Sequence, residues 1–209
     1  GDVKDRYAKR EHPLYNRVTD QLKSIKNTDN NISLVYLGLG EASDLITDNP
    51  EYDSAPDYNI QSRSWYQETV NSGETIVTEP YVDKVTGKLI ISVSTPVIKN
   101  GKTLGALAID ITLDDLGTIL SNYKIEDSGY AVLISKNGTI IYHPDKDLIM
   151  NSKMTDMEGA LARAAGKMMA GEKGIVKYKY QNTKRLMGYN PITNSGWSIG
   201  TLVPKEEVM

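Results

Sequence analysis

The chain has 209 residues, with 24 Lys plus Arg against 27 Asp plus Glu, a formal net charge of −3, no Cys, no Phe and 13 Tyr. Near-neutrality without a clustered basic run excludes the electrostatic footprint of a nucleic-acid partner, and the absence of Cys excludes disulfides and thiolate metal sites. A mean hydropathy of −0.41 with no apolar run approaching ~18 residues excludes a membrane-spanning helix within the segment, while 39% hydrophobic and 24% charged residues describe a folded chain of one large domain or two small ones.

Gly1 in place of Met, with no signal peptide behind it, reads as an excised piece of a longer protein. Residues 1–12 are polar and Pro13 interrupts any helix through them, so they read as a linker or the frayed end of something longer. Leu14, Val18, Leu22 and Ile25 then recur at helical spacing up to a polar stop at 27–31. Residues 32–39 are a short, apolar, β-rich run and predict a buried strand. An acidic, Pro-containing loop follows over 41–58; its Asp44, Asp48, Glu51, Asp53 and Asp57 lack the spacing and glycine of a calcium loop and read as a solvated rim.

Three β-type runs at 75–82, 88–99 and 103–112, separated by a turn at 83–87 and by Asn100-Gly101, predict an antiparallel meander. Alternation along the third run puts Leu104, Ala106, Ala108 and Asp110 on one face, and Gly105, Leu107, Ile109 and Ile111 on the other. The alanine face leaves volume that a covering loop or a ligand must fill. A short helix over 113–123 with Leu116, Ile119 and Leu120 inward comes next, then a hairpin at 129–135 and 139–143 around Lys136-Asn137-Gly138. Thr155-Asp156-Met157-Glu158 is a capping-box pattern opening a helix with Met157, Leu161, Ala165 and Met168 on one stripe, closed by Gly171. Runs at 174–180, 184–189 and 197–203 are three further strands. The order of helix, strand, loop and meander thus occurs twice. The fold class is α+β, with a linker and helix over 1–31 and two tandem modules over 32–122 and 123–209, each an antiparallel sheet flanked by helices.

Residues 57–67 gather Tyr58, Arg63, Trp65 and Tyr66, and a guanidinium fork beside an indole N–H and phenols suits a carboxylate. Tyr81 and Asp110 lie on neighbouring strands, and a carboxylate among aromatics suits an ammonium. On residue types alone, a surface Arg stacked over a Trp that plugs the loop accounts for Arg63 and Trp65 equally well. His143 follows a strand and precedes a Pro, and with His12 as the only other His no metal triad or Ser-His-Asp set assembles. Asn100-Gly101-Lys102-Thr103 ends like a phosphate loop, but Pro96 stands where its first glycine is needed.

The order Tyr58, Arg63-x-Trp65-Tyr66, Tyr81, Asp110 in this helix-then-meander setting resembles the amino-acid-binding subclass of double Cache (dCache) domains, the extracytoplasmic sensors of chemoreceptors and sensor kinases. GYAVLISKNGTIIYHPD and GWSIGTLVP extend the resemblance through the second module. The long helix preceding the first module in that family is missing or reduced to residues 1–12, and LGLGEASDLI has leucines where the family often has Phe. The resemblance implies two PAS-like modules, the first membrane-distal and ligand-binding, the second membrane-proximal. It implies that Tyr58, Arg63 and Trp65 hold the α-carboxylate of a free L-amino acid and Tyr81 and Asp110 its α-amine, with Tyr66 beside them. Candidates for side-chain selectivity are Tyr36, Asp83, Ile90, Ser92 and Ser94. The expected partner is an amino acid, with no metal, cofactor or catalytic residue, in a membrane-anchored parent that is a homodimer. A hydrolase using Asp110 or His143, and an adhesion or dimerisation module with an empty pocket, are the alternatives from other classes.

Overall fold

The computed structural model describes residues 6–83, 87–123, 125–180 and 182–208. The first five residues of the 1–12 linker and the middle of the turn read over 83–87 lie outside them. The chain divides into two compact units, Gly1–Leu113 and Asp114–Met209.

In the first unit, a 3-10 turn over Arg6–Glu11 stops before Pro13, and α1 runs from Tyr15 to Lys26. The stripe that α1 buries is Tyr15, Val18, Leu22 and Ile25. Leu14 is outside it and 52% exposed, because Pro13 sets the helix start one residue later and leaves Leu14 as the N-cap. Strands β1 (Ile32–Leu39), β2 (Asp44–Thr47), β3 (Ile76–Val77), β4 (Tyr81–Val82), β5 (Leu89–Lys99) and β6 (Lys102–Thr112) form an antiparallel sheet in the order β2-β1-β6-β5-β3, with β4 also on β5. Asn100 and Gly101 both have positive φ (52° and 75°), so the β5–β6 turn is the hairpin that Asn-Gly favours and not a phosphate loop.

The period of two sorts this sheet into two faces. Val35, Leu37, Leu39, Leu107 and Ile109 pack under α1. Tyr36, Ala106 and Ala108 face the other way, under Ile60, Trp65 and Tyr66. The volume over the alanines is therefore filled by the 60–66 segment, and Leu104, at the end of the same face, is left half-exposed.

Two expectations fail along the acidic loop. It contains strand β2, and Asp44 and Asp48 are buried rather than solvated. The linker supplies the reason: Lys9, only 2% exposed, reaches Asp44 Oδ2 at 2.8 Å and donates to the Leu45 carbonyl at 2.9 Å. Burial pushes the Asp44 carboxyl up, but the hydrogen bond from Lys9, neighbouring donors and the ammonium charge hold it below the ordinary value. Asp48 accepts the Val35 N–H at 3.0 Å and meets Lys26 at 3.0 Å. A carboxylate on an apolar strand edge survives burial only with such partners.

The second unit comprises α3 (Asp114–Asn122), β7 (Tyr130–Ile134), β8 (Ile140–Tyr142), α4 (Ala160–Met169), β9 (Gly174–Tyr180), β10 (Thr183–Ile192) and β11 (Trp197–Pro204), with sheet order β8-β7-β11-β10-β9. Numbered from its own first strand, this is the order 2-1-5-4-3 of the first sheet, with β3 and β4 of the first unit together standing where β9 stands. Two tandem PAS-like modules of one topology follow. The core of this unit lies between the sheet and α4 and includes Ile134, Met168, Met187 and Leu202. Thr155 lies inside a separate 3-10 turn, Met154–Asp156, and α4 starts only after Gly159 at φ 67°. The capping-box reading thus fails: Met154 and Met157 pack on the core and hold the 3-10 turn as a separate element. In α3 only Leu120 is buried, while Ile119 is 51% exposed.

Because the Lys9–Asp44 pair is almost fully buried, Lys9→Met is expected to lower the unfolding free energy by about 3 kcal/mol, read from urea denaturation. Lys9→Met with Asp44→Leu is expected to recover most of that loss, and Lys102→Ala, whose partner Glu41 is on the surface, is expected to stay within about 0.5 kcal/mol.

Candidate functional site

The face of the first sheet opposite α1 brings polar side chains from four strands to one place. Ser92 on β5 is directly across from Asp110 on β6, Leu34 on β1 flanks Asp110 from the other side, and Tyr36 is one pleat further along, across from Ala108. Tyr81 on β4 pairs with Ile90. With strand parity fixed by the α1 face, Tyr36, Ser92 and Asp110 all lie on the opposite face, so their meeting follows from register.

Asp110 is 7% exposed. Its Oδ1 accepts the Ser92 hydroxyl at 2.6 Å and the Tyr36 hydroxyl at 2.9 Å. Since Ser92 spends its single proton on Asp110, the Tyr81 hydroxyl, 2.7 Å from Ser92 Oγ, is the donor in that pair. The result is a relay from Tyr81 through Ser92 to one carboxylate oxygen, while Oδ2 accepts no hydrogen bond from the described residues. Burial raises the Asp110 carboxyl to about 6, against the pull of the Ser92 and Tyr36 hydrogen bonds and with a further push from the Asp83 charge. Burial likewise lifts the Tyr81 hydroxyl to about 12, with the Asp110 charge adding to it and the Arg63 charge opposing. Tyr81 is thus within electrostatic reach of both an acid and a base.

The covering segment is built from local signals. Asn59 Oδ1 caps a 3-10 turn, Ile60–Ser62, by accepting the Gln61 N–H at 2.9 Å. Arg63, in extended backbone, is the N-cap of α2 (Ser64–Ser72), which Gly73 closes at φ 70°. Helical phase turns Trp65, Tyr66 and Thr69 inward. Trp65 sits edge-on to Tyr36 (centroids 5.0 Å, 82°) and to Tyr66 (5.6 Å, 87°), contacts that contribute ~0.5–1.5 kcal/mol each. Their approach requires small residues beneath: a Cβ on Gly38 would collide with Ile60 Cδ1 and come 3.0 Å from Trp65.

Arg63 is half-buried with its Cζ 5.8 Å from the Tyr58 ring centroid. Among the described residues its guanidinium has no carboxylate partner and no hydrogen-bond acceptor. Tyr58 is half-buried too, its hydroxyl pushed up to about 12 by burial, with the Arg63 charge opposing.

Of the expected ligand residues, the structure brings Tyr81 and Asp110 into one relay and Tyr58 and Arg63 into one stack, with Trp65 packed against Tyr36 between the helix and the sheet. Tyr66 turns elsewhere: a Cβ on Gly40 would lie 2.6 Å from its hydroxyl, beside Leu104, six residues or roughly 20 Å along β6 from Asp110. Among the candidates for selectivity, Tyr36 and Ser92 hold the Asp110 carboxylate, Ser94 donates to the Leu107 carbonyl at 3.3 Å, Ile90 is buried and Asp83 acts on Asp110 through its charge. Sequence reasoning placed Tyr36 and Ser92 near the site without their tie to Asp110, a tie that the 18-residue and 74-residue separations hide. No cluster of three or more metal-ligating side chains occurs among the described residues, and no helix among them is long and apolar enough to cross a membrane.

Comparison with known proteins agrees with this architecture. The chain is 28% identical over 178 residues to the methyl-accepting chemotaxis protein PctB of Pseudomonas aeruginosa, covering 84% of this chain and 27% of that protein. It is 27% identical over 191 residues to McpC of Bacillus subtilis, covering 91% of this chain and 27% of that one. It therefore spans about a quarter of the length of these relatives. Among solved structures, the ligand-binding domain of PctB in complex with L-Arg superposes with a TM-score of 0.71 at 25% identity, over 91% of this chain and 73% of that one. The ligand-binding domain of Mlp24 with asparagine does so with a TM-score of 0.68 at 23% identity, over 92% and 79%. The extracellular domain assigned to the histidine kinase mmHK1S-Z2 reaches 0.79 at 23% identity, over 99% and 84%. The family model dCache_1, described as a Cache domain, matches residues 6–209, so the chain belongs to that family of double Cache sensor domains.

Proposed function

We propose that the chain is the extracytoplasmic ligand-binding region of a membrane-anchored, homodimeric chemoreceptor, and that its membrane-distal module, read over residues 32–122 and carrying the sheet of the first unit, binds a free L-amino acid. The second module, over 123–209, is then the membrane-proximal one. The observation that carries the reading is a pair of incomplete charges on one face: among the described residues, Asp110 has both its donors on Oδ1 and none on Oδ2, and Arg63 has no acceptor. Tyr81 feels the charge of both. A zwitterion supplies what each lacks, an ammonium for Asp110 Oδ2 and a carboxylate for the Arg63 fork, with Tyr58, Trp65 and Tyr81 lining the path between. The complexes of the PctB and Mlp24 domains with L-Arg and asparagine support the ligand class.

Binding without turnover suits these groups better than catalysis. Asp110 is faced by hydroxyl donors rather than by a base that would activate them, and His143 Nδ1 accepts the Asp145 backbone N–H at 2.9 Å, so neither acid nor imidazole activates a nucleophile.

Calorimetric titration against the proteinogenic L-amino acids is expected to find at least one binder. Arg63→Ala or Asp110→Ala is expected to weaken it by about thirtyfold or more, since each leaves a ligand charge desolvated and unpaired. Silence across the whole panel sinks the reading.

The titration of Asp110 adds a pH dependence with a definite sign. The ammonium needs the carboxylate form, whose empty-site value is raised to about 6; below it a proton must leave before the ligand binds. Affinity is expected to fall by about tenfold between about pH 7 and about pH 5. Tyr36→Phe, which removes a hydrogen bond to the charged form, is expected to move that fall to higher pH, and a flat profile in both proteins rules out Asp110 as the ammonium partner.

A further inference from the structure

The second sheet repeats the pairings that surround Asp110 and fills them differently. Leu202 on β11 is flanked by Met187 on β10 and Tyr130 on β7, as Asp110 is flanked by Ser92 and Leu34. Tyr178 on β9 pairs with Arg185, two positions before Met187, as Tyr81 pairs with Ile90, two positions before Ser92. Val132, two along from Tyr130, stands where Tyr36 does. The acid and its two hydroxyl donors are thus replaced by Leu202, Met187 and Val132, all buried, while the edge-strand tyrosine is kept.

At this place the second unit has a cavity of about 160 Å3, walled by Val132, Tyr178 and Leu202 from the sheet, by Leu161 from α4, and by Met154 and Met157 from the 3-10 turn and its flank. Apolar cavities of about 150 Å3 stay dry and take up benzene-sized molecules, and thioether side chains adapt to the shape of what enters. His143 also lines it, edge-on to Tyr130 (centroids 5.4 Å, 75°), and its Nδ1 accepts the Asp145 backbone N–H at 2.9 Å. Burial lowers the His143 pKa from its ordinary value, against the Asp145 hydrogen bond and charge. The ring is therefore neutral at neutral pH with its proton on Nε2, and that N–H has no acceptor among the described residues. An ionised ligand finds no fixed counter-charge on these walls. Asp145 lines the cavity but is exposed, so it opposes an anion and gives a cation only a solvent-screened partner, while the Arg185 charge, which reaches Tyr130 and Tyr178, repels the cation.

We propose that this cavity is a second ligand site, taking an uncharged single-ring molecule whose one oxygen accepts a hydrogen bond from His143 Nε2 and whose apolar body lies against Leu161 and the two methionines: the chemistry of a phenol or a cyclic alcohol. With Leu202 in the place of Asp110, an amino-acid zwitterion has no acid to meet here, so the site is distinct from the one above and stands whether or not that reading holds.

The test is titration of the 209-residue chain, isotope-labelled at its methionine methyls, with phenol, cyclohexanol, toluene, benzoate and benzylamine at neutral pH, followed by nuclear magnetic resonance. Phenol and cyclohexanol are expected to shift the Met154 and Met157 methyl resonances saturably, with toluene, benzoate and benzylamine binding more weakly. Leu161→Trp, which fills the cavity, is expected to weaken phenol binding by about tenfold or more. His143→Asn keeps an acceptor for the Asp145 N–H and loses the Nε2 donor, so it is expected to weaken phenol by about fivefold and leave toluene unchanged. Circular dichroism establishes that each variant is folded; should Leu161→Trp unfold, Leu148→Trp, from the 3-10 turn Lys146–Leu148 on the same wall, decides. The proposal is overturned by the absence of a saturable shift at both methyls with phenol and cyclohexanol, by undiminished phenol affinity in a folded Trp variant or in His143→Asn, or by benzoate or benzylamine binding as tightly as phenol.

Discussion

One buried carboxylate sets the terms for the first unit. Asp110 is near the end of an otherwise apolar strand, and a charge there is tolerated only with donors fixed in place. Those donors come from β1 and β5, its two neighbours in the sheet, and the Ser92 donor is itself supported by Tyr81 from β4. Tyr36 must lay its ring across the sheet to reach the acid, and Trp65 packs edge-on against that ring. Such a stack needs Gly38, Ala106 and Ala108 to stay small, because Ile60 and Trp65 occupy the space that larger side chains would take. The alanine stripe, the aromatic pair and the position of α2 are thus consequences of carrying an acid on this face.

The opposite face solves a different problem. There α1 covers Val35, Leu37 and Ile109 by apolar burial, and the charges are confined to the edge at β2, where Lys9 neutralises Asp44 and Lys26 meets Asp48. The second unit repeats the strand order without an acid at the place of Asp110: Leu202 and Val203, on the β11 strand that corresponds to β6, are buried and apolar. Its inward polar groups are instead tyrosines, with Tyr178 on β9 across from Arg185 on β10. The same scaffold therefore carries different polar groups, decided by a few inward positions rather than by topology.

Much of this was legible in the sequence where a local rule applies. Asn100-Gly101 gave the hairpin, the two-residue period gave both faces of β6, and the repeated order of elements gave two modules. The failures have one character: they concern residues whose role depends on a distant partner. Lys9 looks like any lysine in a polar leader until Asp44, 35 positions away, is folded against it, and without Lys9 the acidic stretch 41–58 reads as solvent-facing and hides β2. The helix α2 was missed although Trp65, Tyr66, Thr69 and Val70 have helical spacing ahead of a closing Gly73, because the same residues read more strongly as a binding cluster. In the proposed site the residue types were readable, but which of them converge was not: parity puts Tyr36, Ser92 and Ser94 on one face, and only register decides that Ser92 meets Asp110 while Ser94 turns to a backbone carbonyl.

A sensor must be less complete without its ligand than with it, since a ligand moves an equilibrium only through a difference in affinity between two states. In the proposed reading the difference is built into Asp110 and Arg63. Burial raises the acid to about 6, and a bound ammonium opposes that rise, so the ligand does electrostatic work in favour of the carboxylate form that burial disfavours. That work is applied to β1, whose Tyr36 holds Asp110 on one face while Val35, its neighbour in the chain, packs against α1 on the other. A close-packed strand cannot shift one face and leave the other in place. In that reading a change in how Tyr36 meets Asp110 is accommodated at the α1 contact, and β1 is the element through which occupancy of the site would reach the helix.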